Sequence, residues 1–132
     1  MRKRGWMAVA LISFLNIHLF AQFIAIEPEL RMLALGDSYT VGESVHTNER
    51  WPHQLVAELR KAGIKASDPD YIATTGWTTR DLLDGIADQL DRDKTYNLVS
   101  ILIGVNNQYQ GLPFARYEPE LREIITFALD LV

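Results

Sequence analysis

The chain alternates short, unbroken apolar runs with stretches whose apolar residues recur every three or four positions. Met32-Leu33-Ala34-Leu35 is apolar throughout and stops at Gly36, the pattern of a strand buried on both faces. Trp51, Leu55, Leu59 and Ala62, joined by Val56, then fall on one helical face and end at Gly63. That helix is predicted to open at Asn48 or Glu49, with Pro52 in its first turn, where a missing N–H costs nothing. Asp68-Pro69-Asp70 reads as a turn and Tyr71-Ile72-Ala73-Thr74 as a second strand. Thr78 or Thr79 can cap a following helix that has Asp81 in its first turn and Leu82, Leu83, Ile86 and Leu90 as its stripe. Asp91-Arg92-Asp93-Lys94 is a solvated turn. Leu98 to Ile103 is the third and most apolar strand. The last helix, expected to start near Glu118-Pro119-Glu120, carries Leu121, Ile124, Ile125, Ala128, Leu129 and Val132.

Strands alternating with helices imply parallel pairing through right-handed crossovers, hence an α/β fold. In such sheets ligands bind beyond the carboxyl ends of the strands. All three strands run into loops rich in glycine and polar residues: Gly36-Asp37-Ser38, Thr75-Gly76-Trp77 and Gly104-Val105-Asn106-Asn107. The topology therefore predicts that Ser38, Gly76 and Asn106 share one edge. Gly36 to Asn48, and the segment up to Tyr117, are expected to be loops.

The first segment follows a different pattern. Arg2, Lys3 and Arg4 precede an apolar run from Trp6 to about Ile26. This reads as a secretory signal over residues 1–21, with cleavage after Ala21, or as a membrane anchor reaching about residue 26. Asn16, His18 and Gln22 count against the anchor. Residues 22–30, including Glu27-Pro28-Glu29, form a linker, and residues 31–132 the domain. The expected location is the periplasm or the extracellular space, with membrane contact only through residues 6–26.

Composition narrows the chemistry. Of 132 residues, 48% are hydrophobic and 23% charged, as in ordinary globular chains. There is no cysteine, which removes disulfides, thiolate metal sites and a cysteine nucleophile. The net charge of −4 speaks against nucleic acid as partner. Loss of residues 1–21 would take three of the 13 basic residues and none of the 17 acidic ones, leaving −7.

Ser38 is the candidate nucleophile, delivered by a strand to a tight turn. A serine hydroxyl needs a base to take its proton, and the oxyanion formed on attack needs preplaced donors. The N–H of Ser38 or its neighbour, the N–H of Gly76 and the side-chain amide of Asn106 are the candidates. Gly36-Asp37-Ser38-Tyr39, then Gly76, then Gly104-Val105-Asn106-Asn107 resemble the blocks of the SGNH (GDSL-type) hydrolase superfamily. The resemblance implies a three-layer, flavodoxin-like parallel sheet and a serine ester hydrolase working through an acyl-enzyme. It makes Ser38 the nucleophile, with Gly76 and Asn106 as oxyanion donors, and implies neither cofactor nor metal. Its substrate would be a small-molecule ester or an acylated carbohydrate or lipid.

The sequence departs from that pattern twice. Asn107 stands where the family block has Asp. The Asp-x-x-His block that supplies the base occurs nowhere in the chain, so the domain reads as truncated after its third β-α unit and inactive alone. Its long apolar third strand would then be an exposed edge. His46, in the loop after Ser38, and His53, in the next helix, are the remaining histidines outside the first segment; both also fit ordinary polar positions. Asp37 beside the turn is expected to bond backbone N–H groups. Trp77 and Tyr109 either line a cleft or pack, and Asn107 and Gln108 bond either substrate or loop backbone. The alternatives to an enzyme are a non-catalytic ester- or carbohydrate-binding module of the same fold and, more weakly, a phosphate binder using Ser38, Tyr39, Thr40 and Gly42. The phosphate-loop lysine motif is absent.

Overall fold

The computed structural model describes residues 28–132. The expected signal or anchor lies outside the described residues. Three strands, β1 (Met32–Gly36), β2 (Asp70–Ala73) and β3 (Leu98–Leu102), form one parallel sheet in the order β2-β1-β3. The helices are α1 (Ser38–Val41), α2 (Trp51–Lys61), α3 (Thr79–Gln89), α4 (Val105–Tyr109) and α5 (Phe114–Asp130), with a 3-10 turn at Thr47–Glu49.

β1 is central, and all five of its residues are buried. Alternate side chains leave a strand on opposite faces. Met32 and Ala34 pack with Val56 of α2 and with Ala66. Leu33 and Leu35 pack with Leu82, Leu83 and Ile86 of α3 and Ile124 of α5. The sheet is thus the middle of three layers. From β1 the chain crosses through α2 to β2 on one side, then through α3 back over β1 to β3. Right-handed crossovers in opposite directions put their helices on opposite faces. The direction reverses between β1 and β3, and the crevice beyond their carboxyl ends is the topological switch point of this order.

Local chemistry sets the ends of the elements. Thr78 caps α3: its hydroxyl accepts from the Asp81 N–H while the Asp81 carboxylate accepts from the Thr78 N–H at 2.8 Å. Pro52 sits in the first turn of α2. At the opposite end of the sheet Asp70 accepts from Lys94 Nζ at 2.8 Å and from the Tyr96 hydroxyl at 3.0 Å, closing the loop before β3 onto β2.

Several expectations are corrected. The segment Gly36–Asn48 is not all loop: it holds α1 and the start of the 3-10 turn, because Asp37 caps a short helical turn. α2 begins at Trp51, not Asn48 or Glu49, and buries Pro52 and Val56 while Leu55 and Ala62 face outward. Its covered stripe is rotated by about one position from the expected one. The segment before Tyr117 contains α4, and α5 starts at Phe114 rather than near Glu118. Pro119 lies inside α5, in its second turn, where its lost N–H leaves the Ala115 carbonyl without its helical donor. β3 is apolar but only half-buried, and Leu102 is exposed, because it is the sheet edge. On α5 only Ile124 and Ala128 are buried; Ile125 and Leu129 are exposed.

Candidate active site

Gly36 ends β1 in a space that admits no side chain. A Cβ there would sit 2.5 Å from the Leu102 carbonyl oxygen of β3 and overlap Thr40. This close approach lets β1 run directly into α1. The buried Asp37 carboxylate accepts the Tyr39 N–H at 3.0 Å, as expected for an acid beside a tight turn. Ser38 follows as the first residue of α1 and is half-buried, whereas Tyr39 is exposed. With Tyr39 N–H taken by Asp37, the Ser38 N–H has no hydrogen-bond partner among the described residues.

Gly76 lies three residues beyond β2. The Trp77 N–H bonds the Thr74 carbonyl at 3.2 Å, closing a turn whose third residue, Gly76, has φ +83°. A Cβ on Gly76 would meet nothing within 4 Å, so a ligand could approach the backbone there. Asn106 is the second residue of α4, beyond β3. Gly104 opens that helix with φ +123°, and a Cβ on it would come within 2.7 Å of the Tyr117 ring.

Hydrogen bonds join the three loops. The Asn106 side-chain amide donates to the Trp77 carbonyl at 2.9 Å, and its second amide hydrogen has no partner among the described residues. Gln110 Nε2 donates to the Gly76 carbonyl at 3.1 Å. The Thr75 hydroxyl donates to Glu43, on the loop after α1. The buried Asn107 accepts the Thr79 N–H at 3.0 Å and donates to the Thr79 hydroxyl at 2.7 Å. The loops bearing Ser38, Gly76 and Asn106 are therefore tied into one carboxyl-edge surface. Between α4 and the start of α5, a cleft of about 580 Å³ is walled by Ile103, Val105, Leu112, Phe114 and Tyr117, among others; Ser38, Gly76 and Asn106 do not line it.

Of the remaining candidates, Asn107 and Gln108 line that cleft and the others do not. Trp77 is a packing residue: its ring lies on Gly85 of α3, where a Cβ would overlap it. Tyr109 and Gln108 are exposed, and Asn107 serves the loop network. His53 is committed to β2: its Nδ1 is 2.6 Å from the Tyr71 hydroxyl and the rings stack at 5.6 Å. Burial raises the Tyr71 pKa, and nearby Arg50 opposes the shift. His46 is exposed, and its backbone N–H donates to Glu49. Neither ring is hydrogen-bonded to Ser38 among the described residues. No group of three or more His, Cys, Asp or Glu side chains among the described residues could hold a metal ion. The links made by Gln110, Glu43, Thr79 and Glu120 are not legible in the sequence, because a single polar residue carries no periodic signal of its distant partner.

The profile of the GDSL-like Lipase/Acylhydrolase family matches residues 34–131. The chain belongs to this family. Among solved structures, the GDSL-like chain is similar to AlinE4, an SGNH-hydrolase family esterase, at 28% identity and TM-score 0.65 over 74% of this chain and 51% of AlinE4. TesA shares the fold at 23% identity and TM-score 0.61, over 69% of this chain and 49% of TesA. EstA from Pseudoalteromonas sp., a psychrotrophic esterase, shares it at 19% identity and TM-score 0.62, over 78% of this chain and 55% of EstA. The GDSL-like chain thus spans about half the length of the solved relatives it matches. No curated protein sequence matches it significantly.

Proposed function

We propose that this chain carries the nucleophile and oxyanion half of a serine ester hydrolase site. The observation that carries the reading is the cross-linked carboxyl edge, with Ser38 leaving central β1 and Asn106 held against the Gly76 loop. Ser38 Oγ attacks the ester carbonyl carbon and gives its proton to a base. The carbonyl π electrons move onto oxygen, where the N–H groups of Ser38 and Gly76 and the free Asn106 amide hydrogen stabilise them. Collapse expels the alcohol, which takes the proton, and water then hydrolyses the acyl-enzyme. The apolar cleft lined by Val105 and Asn107, on either side of Asn106 in the chain, suits the acyl portion of a small or lipid-like ester.

The base is the missing part. No Asp-x-x-His occurs in the sequence, and among the described residues His53 is engaged by Tyr71 and His46 makes no bond to Ser38. The chain alone is therefore expected to turn over little or no short-chain ester. Robust turnover that Ser38→Ala abolishes would overturn that expectation and point to His46. The proposed site is tested without its base by phosphonylation at mildly alkaline pH, where hydroxide takes the proton. An organophosphonate should label Ser38 in preference to Ser44, Ser67 and Ser100, and Asn106→Ala should slow it. Equal labelling of the serines sinks the hydrolase reading and favours a non-catalytic binding module of the same fold.

Export is part of the proposal. Arg2-Lys3-Arg4 ahead of the Trp6–Ile26 run supports passage out of the cytoplasm. The mass of the protein recovered from an exporting host decides between cleavage after Ala21 and retention of the segment as an anchor.

A further inference from the structure

The hydrogen bonds of Asn107 run in one direction only. The Thr79 backbone N–H can only donate, so the Asn107 atom 3.0 Å from it is the carbonyl oxygen. The other end of that side chain is then the NH₂ group, which can only donate, and it faces the Thr79 hydroxyl at 2.7 Å. Thr79 Oγ1 accepts there and must send its own hydrogen elsewhere. It sends it to a carboxylate oxygen of Glu120 on α5. Thr79 is fully buried, Asn107 is 5% exposed and the Glu120 side chain 14%, so water does not readily replace any link. The other Glu120 oxygen faces Arg116 at 3.8 Å.

We propose that Glu120 and Thr79 are positioning residues for the oxyanion loop, acting through Asn107 to hold Asn106 in place. The inference rests on the hydrolase reading for the role of Asn106, but not for the chain of bonds itself. Asn106 and Asn107 are adjacent in α4 and grip the entry to α3 at two points, the Trp77 carbonyl and Thr79. Without the Thr79 grip, the side-chain bonds left to the entry of α3 are the Asn106 amide that the reaction needs and the exposed Gln110 bond to the Gly76 carbonyl.

The direction of the chain makes residues 107 and 120 interdependent. In Asn107→Asp the new carboxylate still accepts the Thr79 N–H, but its second oxygen also competes for the single Thr79 hydrogen. Two carboxylates then face one hydroxyl, and one carboxylate oxygen is left buried without a donor. Adding Glu120→Gln reverses the chain: the new amide donates to Thr79 Oγ1, which donates in turn to the carboxylate introduced at position 107. Asn with Glu and Asp with Gln are both matched pairs; Asp with Glu is not. The departure from the family block at Asn107 is thereby linked to a residue on a different helix.

The test is a double-mutant cycle in the full chain, read by thermal unfolding and by the side-chain amide resonances of Asn106. Asn107→Asp should lower the melting midpoint by about 5–15 °C, as expected for an unpaired buried polar group in a domain of this size. Glu120→Gln alone should lower it less, since Gln still accepts from Thr79. Combining the two should recover at least half of the Asn107→Asp loss. If Asn107→Asp does not fold, folding of the double variant makes the same point, and its failure to fold while Glu120→Gln folds overturns the proposal. The Asn106 amide resonances should shift in Asn107→Asp and return in the double variant. Additive midpoint losses overturn the one-way chain, and Asn106 resonances indifferent to these changes overturn the positioning role. Phosphonylation of Ser38 is scored separately, so loss of the hydrolase reading leaves the bond-chain result legible.

Discussion

The Asn106 side-chain amide is bonded to the Trp77 carbonyl, 29 residues earlier in the chain, at 2.9 Å. This bond fixes the loop after β3 against the loop after β2. Asn106→Ala removes the donor and leaves the half-buried carbonyl unpaired, so unfolding in urea should show a loss of about 1–2 kcal/mol. Gln110→Ala, which removes the solvent-exposed bond to Gly76, should change stability by less than about 0.5 kcal/mol. Equal effects would mean that the Trp77 carbonyl is readily rehydrated.

Gly36 and Gly63 are expected to tolerate alanine very differently. At Gly36 the added Cβ meets the Leu102 backbone carbonyl of β3, hydrogen-bonded to β1, and the fully buried Thr40 of α1. Gly36→Ala should cost about 3 kcal/mol or more, at the upper end of overpacking effects. At Gly63, after α2, φ is +89° but the space is open, so only the backbone preference of about 1 kcal/mol is lost. Chemical denaturation of the two variants checks the contrast.

The two sides of α5 should also separate. Ile124 is fully buried against α3 and the sheet, and Ile124→Ala should cost about 2–5 kcal/mol. Leu129, on the same helix, is 67% exposed, and Leu129→Ala should fall within about 0.5 kcal/mol of the parent. A large loss at Leu129 would show that this face is covered in solution.

The latch at Asp70 predicts a stability loss at high pH. Burial, with the hydrogen bond to Asp70 second, pushes the Tyr96 hydroxyl up to about 12 from its ordinary 10.0. The hydrogen bond to Asp70 likewise raises Lys94. Both groups hold their proton more tightly in the folded state. Their contribution is fully present below the unfolded pKa and is lost as pH rises through the folded one. For Tyr96 the window runs from about pH 10 to about pH 12. Urea titrations across that range should show falling stability, with a shallower slope in Tyr96→Phe. An unchanged slope would place the loss on other groups.

Much of this protein is decided by local sequence. The apolar pattern sets three strands alternating with helices, because a strand covered on both faces is an unbroken apolar run and a helix covered on one face has a period of 3.6. Thr78 with Asp81, and Asp37, mark helix starts through bonds to their own neighbours, and Pro52 marks one by lacking an N–H where none is needed. The order of elements alone implies a parallel sheet and brings the loops of Ser38, Gly76 and Asn106 to one edge. Tertiary structure decided what depends on partners distant in the chain. It made β1 central and β3 an edge, so the most apolar strand is only half-buried. It carried α5 through Pro119, since packing of Ile124 and Ala128 outweighs one lost bond. It turned His53 to Tyr71, 18 residues away, and joined Asn107 through Thr79 to Glu120, with 28 and 41 residues separating the bonded pairs. A lone polar side chain has no period, so nothing in its neighbours tells which distant donor or acceptor it will meet once the layers close.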